Sequence, residues 1–345
     1  MAGNFIREER DIRVVQGSGS DTEKKIVSIL KVLSESTEPL GSITIARELE
    51  RYGIFLSERA VRYHMRITDE RGYTQAMGRD GRMLTPKGLE ELRIALVPDQ
   101  VGFILDKLEM LAFKTTFDPV SKKGLIPVNT SIMEASQFKK SLDIIREVFK
   151  AGYAVSNLVK VVNEGEKIGS IVIPPGKIGL ATICSVVVNG TLLKAGIPIE
   201  SRFGGVLEIQ DSAPRRFVAL ISYAGTSLDP SEQYIRARMT SVGEVITNKN
   251  GMILANFREI PAPARSMVVE KIEQLKAVGI NGTYVLGNTS EPVCQIAVGL
   301  NRVGMVLLGG LNPMAAAVEA GIEIENLAES GLVEYSELRS VWDIG

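Results

Sequence analysis

Apolar and polar positions alternate most clearly between residues 57 and 70, where the alternation follows a helical period. Four residues recur at i, i+3, i+4 and i+7 and therefore share one face of a helix: Val61, His64, Met65 and Thr68. Ser57 precedes them and is a good N-cap, because its hydroxyl can accept a backbone N–H of the first turn. The pattern predicts a helix from Ser57 to about Glu70 whose buried face packs on other helices.

The segments around the Ser57 helix complete a familiar order of elements. The predicted order is a helix over 23–34, a helix over 45–51, the Ser57 helix, a hairpin over 73–85 and a helix over 86–95. Tyr52-Gly53 forms the turn before the Ser57 helix, Gly72 ends that helix, and Gly78-Arg79-Asp80-Gly81 is the hairpin tip. This order is typical of a winged helix-turn-helix, which we assign to residues 21–95.

The opposite face of the Ser57 helix is basic. Arg59, Arg62, Tyr63 and Arg66 lie there, and Arg79 and Arg82 lie in the hairpin that forms the wing. Arginine can bind guanine in the major groove or pair with phosphates. The alternative is an ordinary solvated helix face, as most runs of charge are. The order of elements favours DNA, and the predicted contacts are Ser57, Arg59, Arg62, Tyr63, Arg66, Arg79 and Arg82.

The chain after residue 95 contains an internal duplication. An offset of 127 residues places Gly124–Asn129 on Gly251–Asn256, and an offset of 125 places Ile171–Glu200 on Ile296–Glu325 without a gap. The predicted helices Glu134–Ala151 and Pro263–Val278 also correspond, and each is followed by a glycine that suits a C-cap. We therefore predict one domain over 96–345, built from two similar halves at about 100–215 and 228–340.

Runs rich in β-branched residues predict the strands of these halves. The predicted strands are Ser170–Ile173, Ile178–Ile183, Phe217–Ile221, Glu244–Thr247, Tyr284–Leu286 and Val303–Leu308. Asn250-Gly251 is predicted to be a hairpin turn between two strands. The fold class is thus α+β or α/β: an N-terminal winged helix-turn-helix followed by an internally duplicated α/β domain. Residues 1–20 lack periodicity and are predicted to be a flexible tail.

The composition and net charge of the chain limit the classes of function that it can have. The 345 residues carry a formal net charge of −1, so any DNA contact must come from a local patch, and one copy would bind weakly. We therefore expect a dimer on two half-sites. One histidine and two cysteines, with no CxxC pair, indicate neither a metal site nor catalytic residues, and we expect no cofactor. No signal peptide or long apolar run is present, so we expect a cytoplasmic protein without membrane contact.

Two matched positions in the halves suggest a ligand site. In the first half a strand ends at Cys184-Ser185 and we predict that Asn189-Gly190 opens the next helix; in the second half a strand ends at Gly309-Gly310 and Asn312-Pro313 opens the helix. Helix N-termini offer free N–H groups and a favourable dipole to anions. Two such ends facing each other across the pseudo-twofold axis could hold the two carboxylates of a small diacid.

Arg202 adds a cation in a segment predicted to be a flexible, glycine-flanked loop, and it could bind a carboxylate through both of its terminal nitrogens. Arg215, Arg216 and Arg258 are lesser candidates. The alternatives are that Gly309-Gly310 is a plain turn, that Cys184 is a small buried residue, and that Arg202 lies at a surface or an interface. The predicted effector-binding residues are Cys184, Ser185, Asn189, Arg202, Gly204, Gly205, Gly309, Gly310 and Asn312.

The chain resembles the archaeal nitrogen-regulation repressors, the NrpR family, from Asp21 to its C-terminus. The resemblance is carried by SERAVRYHMR with the following wing and, more specifically, by the stretch from Cys184 to Gly205. It implies a repressor of nitrogen-assimilation genes that binds palindromic operators and is released by 2-oxoglutarate. It also implies an association of Cys184 with the effector response, and a homodimer or tetramer. Because the chain carries one effector domain where some members carry two, a paralogous effector-domain protein is a further expected partner.

The residues alone leave a second interpretation of the function open. The chain could be a small-molecule sensor or an enzyme that uses its winged helix for protein interaction. That reading predicts ligand binding or turnover that is unaffected when Arg59 and Arg62 are both replaced by alanine.

Overall fold

The computed structural model describes residues 20–95 and 103–344. The chain divides into two compact units, Met1–Asp99 and Gln100–Gly345. The predicted tail, apart from Ser20, and the predicted boundary at residue 96 lie outside the described residues. No helix in the two described stretches is long and apolar enough to cross a membrane.

The first unit contains four helices and a two-stranded hairpin among its described residues. They are α1 (Ser20–Ser34), α2 (Ser42–Glu50), α3 (Glu58–Glu70), β1 (Thr74–Ala76), β2 (Arg82–Leu84) and α4 (Pro86–Ala95). The predicted winged helix-turn-helix is confirmed.

Apolar side chains from the first three helices form the core of this unit. Its buried members are Ile29, Val32, Leu33, Ile45, Leu49, Val61 and Met65. The α3 residues predicted to face inward, Val61, His64, Met65 and Thr68, are all buried. Ser57 caps α3 as predicted, its hydroxyl accepting the Ala60 N–H at 3.2 Å. Burial on one face leaves the other face of α3 available for binding.

The second unit begins with the elements of the first half. In chain order these are α5 (Phe103–Lys114), β3 (Leu125–Glu134), α6 (Ala135–Ala151), β4 (Leu158–Val162), β5 (Lys167–Ile168), β6 (Ile171–Val172), β7 (Lys177–Ile183), α7 (Val186–Lys194), β8 (Glu200–Gln210) and β9 (Ala213–Ser222).

The second half follows a short 3₁₀ turn at Tyr223–Gly225. Its elements are α8 (Pro230–Arg236), α9 (Val242–Asn248), β10 (Gly251–Pro261), α10 (Arg265–Lys276), β11 (Thr283–Thr289), β12 (Arg302–Leu308), α11 (Asn312–Glu319), β13 (Ile324–Glu334) and β14 (Arg339–Ser340). The fold is a mixed α/β domain, as predicted.

Both halves share the order strand, helix, strand, strand, helix, strand, with β5 and β6 inserted in the first half, and the last strand of this order, β8 or β13, pairs in the sheet of the other half. One sheet has the order β11-β12-β10-β8-β9, and the other has the order β13-β3-β7-β4-β14. Thus β8 of the first half pairs with β10 of the second, and β13 pairs with β3, all antiparallel. The two halves are therefore interlocked around one core.

Two local predictions were wrong. Residues 244–247, predicted as a strand, lie in α9, and Asn250-Gly251 follows that helix instead of joining two strands. A distant residue stabilises the helix: the Glu319 carboxylate accepts the backbone N–H groups of Val242 and Gly243, both at 2.9 Å. Tertiary capping of this kind overrides the β propensity of a short run.

The helix predicted to open at Asn189 begins earlier, at Val186. The run Val186–Val188, which has a strand-like composition, is wholly buried inside the domain. Burial of these apolar side chains on a helix explains the difference, since propensity is a weak prior against packing.

Candidate DNA-binding surface and effector cavity

The exposed face of α3 carries the predicted basic residues. Arg59, Arg62, Tyr63 and Arg66 are all exposed, and the Arg66 guanidinium lies 5.8 Å from the centre of the Tyr63 ring. The high helical amphipathicity follows from the sequence, because the four buried positions occupy the other side of the helix. The result is a cationic ridge that a DNA groove can reach.

Two of these arginines have carboxylate neighbours on the same helix. Arg62 pairs with Glu58, whose carboxylate also accepts the Ser42 hydroxyl at 3.0 Å, and Arg66 lies 3.8 Å from Glu70. Such exposed i, i+4 pairs contribute about 0.3–0.5 kcal/mol and exchange readily. Either guanidinium can therefore leave its carboxylate for a phosphate.

The two predicted wing arginines, Arg79 and Arg82, have different environments in the structure. Arg79 is exposed at the hairpin tip. Arg82 is half-buried, and its Nε donates to the Asp69 carboxylate at 2.7 Å. Arg82 therefore ties the wing to α3, and its expected role as a wing contact is not supported by this position.

A small polar cavity lies between the two halves of the second unit. It is lined by Asn129, Cys184, Ser185, Tyr223, Asp229, Ser231, Asn256, Gly310, Leu311, Ala328 and Glu329. Its volume is about 10 Å³, which is close to the space that one buried water needs.

The pseudo-twofold axis explains which residues meet at the cavity. Asn129 on β3 and Asn256 on β10 are related by the 127-residue offset. Ser185 and Leu311 are the residues that precede α7 and α11, so the N-termini of both helices border the cavity. The predicted meeting of the two matched positions is thus what the structure brings about, through Cys184, Ser185 and Gly310.

Hydrogen bonds fix one side of the cavity. Tyr223 donates its hydroxyl to Asn256 Oδ1 at 2.6 Å, and Asn256 Nδ2 donates to the Ser185 hydroxyl at 3.1 Å. On the other side Asn129 Oδ1 accepts the Glu329 backbone N–H at 3.0 Å. Glu329 has a positive φ of 51° and belongs to an irregularity in β13 between Leu327 and Gly331, which turns the residue out of the strand register.

Three buried polar groups in this region have no hydrogen-bond partner among the described residues: Asn129 Nδ2, Glu329 Oε2 and Arg258 Nε. Buried polar groups are normally paired, and an unpaired one costs about 1–3 kcal/mol. A cluster of three is the pattern expected of a site built for a polar ligand.

Burial shifts the acidities of the cavity residues. It raises the pKa of the Glu329 carboxyl to about 8, and the nearby Asp229 carboxylate acts in the same direction. Burial also raises the pKa of Asp229 to about 6. The pKa of the Cys184 thiol rises to about 12, first because of burial and then because of the Glu329 charge. Cys184 is therefore a neutral packing group at physiological pH, and no thiolate is available for chemistry.

Six of the predicted effector-binding residues do not line the cavity: Asn189, Arg202, Gly204, Gly205, Gly309 and Asn312. Arg202 Nη1 pairs with the buried Glu259 carboxylate at 2.5 Å, and Arg302 binds the same carboxylate. Asn312 is fully engaged with backbone, since its Oδ1 accepts the Leu254 N–H at 2.8 Å and its Nδ2 binds the Leu254 and Tyr153 carbonyls. The prediction of a loop at Arg202 was wrong, because Arg202 lies in β8, where it pairs with Glu259 of the neighbouring β10.

The remaining four are packing residues next to the site. Asn189 donates to the Ser201 hydroxyl at 3.1 Å. Gly204, Gly205 and Gly309 leave no space for a β-carbon, which would collide with Pro230, Ala219 and Leu254 respectively. Their lack of a side chain serves close packing.

Sequence reasoning missed several residues that form the cavity. Asn129 and Asn256 were visible as a matched pair in the repeat, and that match was the available signal. Tyr223, Asp229 and Glu329 lie in segments with no counterpart of the same residue type in the other half: Glu329 corresponds to Gly204 at the 125-residue offset. No local motif marked them.

The winged helix with its cationic ridge, followed by an α/β domain with an internal polar cavity, defines a winged-helix transcriptional regulator. A family model described as NrpR regulatory domains NRD1 and 2 matches residues 101–340. A model described as Ribonuclease R winged-helix domain matches residues 27–92. The chain belongs to the NrpR family, whose curated members are named global nitrogen regulators, and the predicted resemblance is confirmed.

Three curated relatives cover nearly the whole chain. Global nitrogen regulator NrpRI of Methanosarcina mazei is 40% identical over 319 residues, which are 92% of this chain and 98% of that protein. The NrpR proteins of Methanocaldococcus jannaschii and Methanococcus maripaludis are 32% and 31% identical, over 93% and 90% of this chain. The chain spans only 56% and 54% of these two longer relatives.

A solved structure resembles about two thirds of the chain. The crystal structure of a nitrogen repressor-like protein from Methanococcus jannaschii is 29% identical, with a TM-score of 0.59, and the match covers 69% of this chain and 98% of that one. The chain is a nitrogen-regulating transcriptional regulator, and its relatives are named as regulators, not as enzymes.

Proposed function

We propose that this protein represses nitrogen-assimilation genes by binding palindromic operator DNA, and that 2-oxoglutarate releases it. The observation that carries the effector part is the cavity at the pseudo-twofold axis, where two helix N-termini and unpaired polar groups lie together. A diacid matches this site, since helix N-termini and amide N–H groups bind carboxylates. The ridge on α3 supplies the DNA contacts: Ser57, Arg59, Arg62, Tyr63 and Arg66, with Arg79 from the wing.

Helix α5 is the element through which we expect the effector to act. Its apolar face packs on Cys184, Val186 and Tyr223, and Lys107 donates to the Ala328 carbonyl at 2.8 Å. It therefore touches two walls of the cavity. A five-carbon diacid does not fit in about 10 Å³, so binding must move these walls and α5 with them. Along the chain α5 is the first described helix after the DNA-binding unit.

A dimer or tetramer follows from the same proposal. Two copies presenting two α3 helices read a palindrome, and the second copy raises affinity through effective concentration. A paralogous effector-domain protein is an additional proposed partner, supported by the greater length of two relatives. Sedimentation of the purified chain alone, and mixed with such a protein, distinguishes these assemblies.

The proposal is tested by a mobility shift with the purified chain and the DNA upstream of nitrogen-assimilation genes. We expect a salt-sensitive complex that dissociates as 2-oxoglutarate rises through the millimolar range. A complex that is unchanged by 2-oxoglutarate contradicts the effector assignment. Absence of a specific complex contradicts the repressor assignment.

A further inference from the structure

Arg258 is a buried cation that forms no ion pair with the described residues. Its side chain is 0% exposed and is the largest fully buried side chain among the described residues. No carboxylate of the described chain forms an ion pair with it, whereas Arg202 and Arg302, in the same sheet region, share Glu259. A guanidinium that is removed from water without a partner is strongly disfavoured. The fold therefore keeps the Arg258 guanidinium in an energetically unfavourable environment.

The position of Arg258 relates it to the cavity. Its guanidinium carbon lies 4.8 Å from the centre of the Tyr223 ring, and Tyr223 lines the cavity. Apart from this ring, the guanidinium contacts the Phe257 carbonyl, to which Nη1 donates at 3.3 Å, while Nε has no hydrogen-bond partner among the described residues. The guanidinium therefore lies next to a residue that lines the cavity. A ligand that moves this ring aside reaches a cation that is already desolvated.

Two further unpaired groups belong to residues that line the same cavity. Asn129, 3% exposed, has an unbonded Nδ2, and Glu329, 6% exposed, has an unbonded Oε2. Gly310 packs directly against the Asn129 amide, where a β-carbon would collide with Nδ2. The site therefore offers the Arg258 guanidinium and the Asn129 amide as donors. The Glu329 carboxyl group belongs to the cavity lining as well.

We propose that Arg258 binds one carboxylate of the effector and that Asn129 Nδ2 donates to the same ligand, a proposal that rests on the effector function stated above. The planar fork of arginine matches a carboxylate through two parallel hydrogen bonds. The class of ligand is a small dicarboxylate, as in the proposed function.

The pseudo-twofold symmetry is broken at these residues, which makes the site one-sided. The position equivalent to Arg258 in the first half is Ser131, which is bonded to Asn326 at 2.7 Å. The position equivalent to Glu329 is Gly204. A single diacid therefore binds in one orientation, with its C5 carboxylate at Arg258 and its C1 carboxylate towards the N-termini of α7 and α11.

The test is a thermodynamic cycle between ligand and protein, measured by titration calorimetry on the full chain. The ligands are 2-oxoglutarate and 2-oxopentanoate, in which the C5 carboxylate is replaced by a methyl group. The variants are Arg258→Gln and Asn129→Ala. Arg146→Gln is the control, since Arg146 bonds the Val341 and Ile344 carbonyls away from the cavity.

We expect Arg258→Gln to weaken 2-oxoglutarate binding by at least about 30-fold, because it removes a buried charged partner. The native protein should prefer 2-oxoglutarate over 2-oxopentanoate, and Arg258→Gln should largely lose that preference. Asn129→Ala should weaken both ligands. Arg146→Gln should leave both affinities unchanged.

An undiminished preference for the diacid in Arg258→Gln overturns the inference while leaving the proposed effector intact. No binding of 2-oxoglutarate by the native protein overturns both. If Arg258→Gln does not fold, Arg258→Lys decides: it keeps the charge but loses the fork, and we expect it to fold and to bind 2-oxoglutarate at least about tenfold more weakly. Native affinity in a folded Arg258→Lys variant also overturns the inference.

Discussion

Asn129 and Asn256 occupy equivalent positions in the two halves, yet their amides are used differently. Asn256 is satisfied by Tyr223 and Ser185, whereas Asn129 keeps Nδ2 unpaired. The difference comes from residues that the repeat does not share, namely Tyr223 and Glu329. At the scale of single residues, function therefore lies where the duplicated sequence has diverged.

Glu329 gives a prediction for stability against pH. Burial raises the pKa of this carboxyl from 4.5 to about 8 in the folded state. Its contribution to stability is thus fully present below about pH 4.5 and is lost as the pH rises through about 8. Glu329→Gln removes this loss, so the variant should gain thermal stability relative to the native chain at pH 8.5 compared with pH 5. Calorimetric melting at both pH values measures it.

The exposed Glu325→Gln substitution, in the same strand, is the matched control for this measurement. A gain for Glu329→Gln that is the same at both pH values would contradict the raised pKa.

Arg59 gives a prediction for DNA binding. It is exposed on the α3 ridge, and no carboxylate of the described residues pairs with it. Arg59→Ala should lower operator affinity by about tenfold or more, and the salt slope should become shallower by about one if Arg59 contacts a phosphate. Fluorescence anisotropy at several salt concentrations measures both quantities.

Arg339→Ala removes the same charge from an exposed position in the second unit and serves as the control. Equal effects of the two substitutions would indicate a general charge effect and would count against the ridge.

At the scale of elements, the predictions from the sequence were correct where the local periodicity of apolar residues determines the structure. The inward face of α3, its Ser57 cap and the left-handed Gly152 after α6 are all present. The predictions failed where a distant residue decides, as with Glu319 at the start of α9. Arg202 illustrates the same limit in the site, because only the pairing of β8 with β10 reveals that Glu259 is its partner.

The wing gives a prediction at this scale. Gly81 has φ 122°, and a β-carbon there would collide with the backbone of Leu40, which pairs with Arg82. Gly81→Ala should therefore destabilise the first unit by a few kcal/mol, and operator affinity should fall with it. Thermal unfolding followed by circular dichroism measures the loss.

Gly41→Ala is the comparison, because Gly41 has φ −80° and has open space around its Cα. Its expected loss is below about 1 kcal/mol. If the two variants melt alike, the steric account of the wing is wrong.

At the scale of the molecule, the exchange of β8 and β13 makes the second unit indivisible. A fragment of residues 100–198 lacks β13, so its β3 would become an unpaired edge. We expect this fragment to show no cooperative unfolding and no dispersed NMR spectrum, whereas residues 100–345 should show both. A folded 100–198 fragment would contradict the interlocked architecture.

The same interlocking explains how one ligand can affect the whole unit. The cavity lies on β3, β10, β13 and the starts of α7 and α11, and α5 packs on its wall. A ligand shifts an equilibrium only by its difference in affinity for two states. Because the present cavity is too small for a diacid, the state that binds the effector must differ from this one, and we expect that state to bind DNA poorly.

Thermodynamic linkage tests this claim most directly. The dissociation constant of 2-oxoglutarate is measured by calorimetry on the native chain, first alone and then saturated with operator DNA. Reciprocity requires operator DNA to weaken 2-oxoglutarate by the same factor by which 2-oxoglutarate weakens operator binding, and we expect a factor of roughly 5 to 150. An affinity for 2-oxoglutarate that is the same with and without operator DNA would contradict the account.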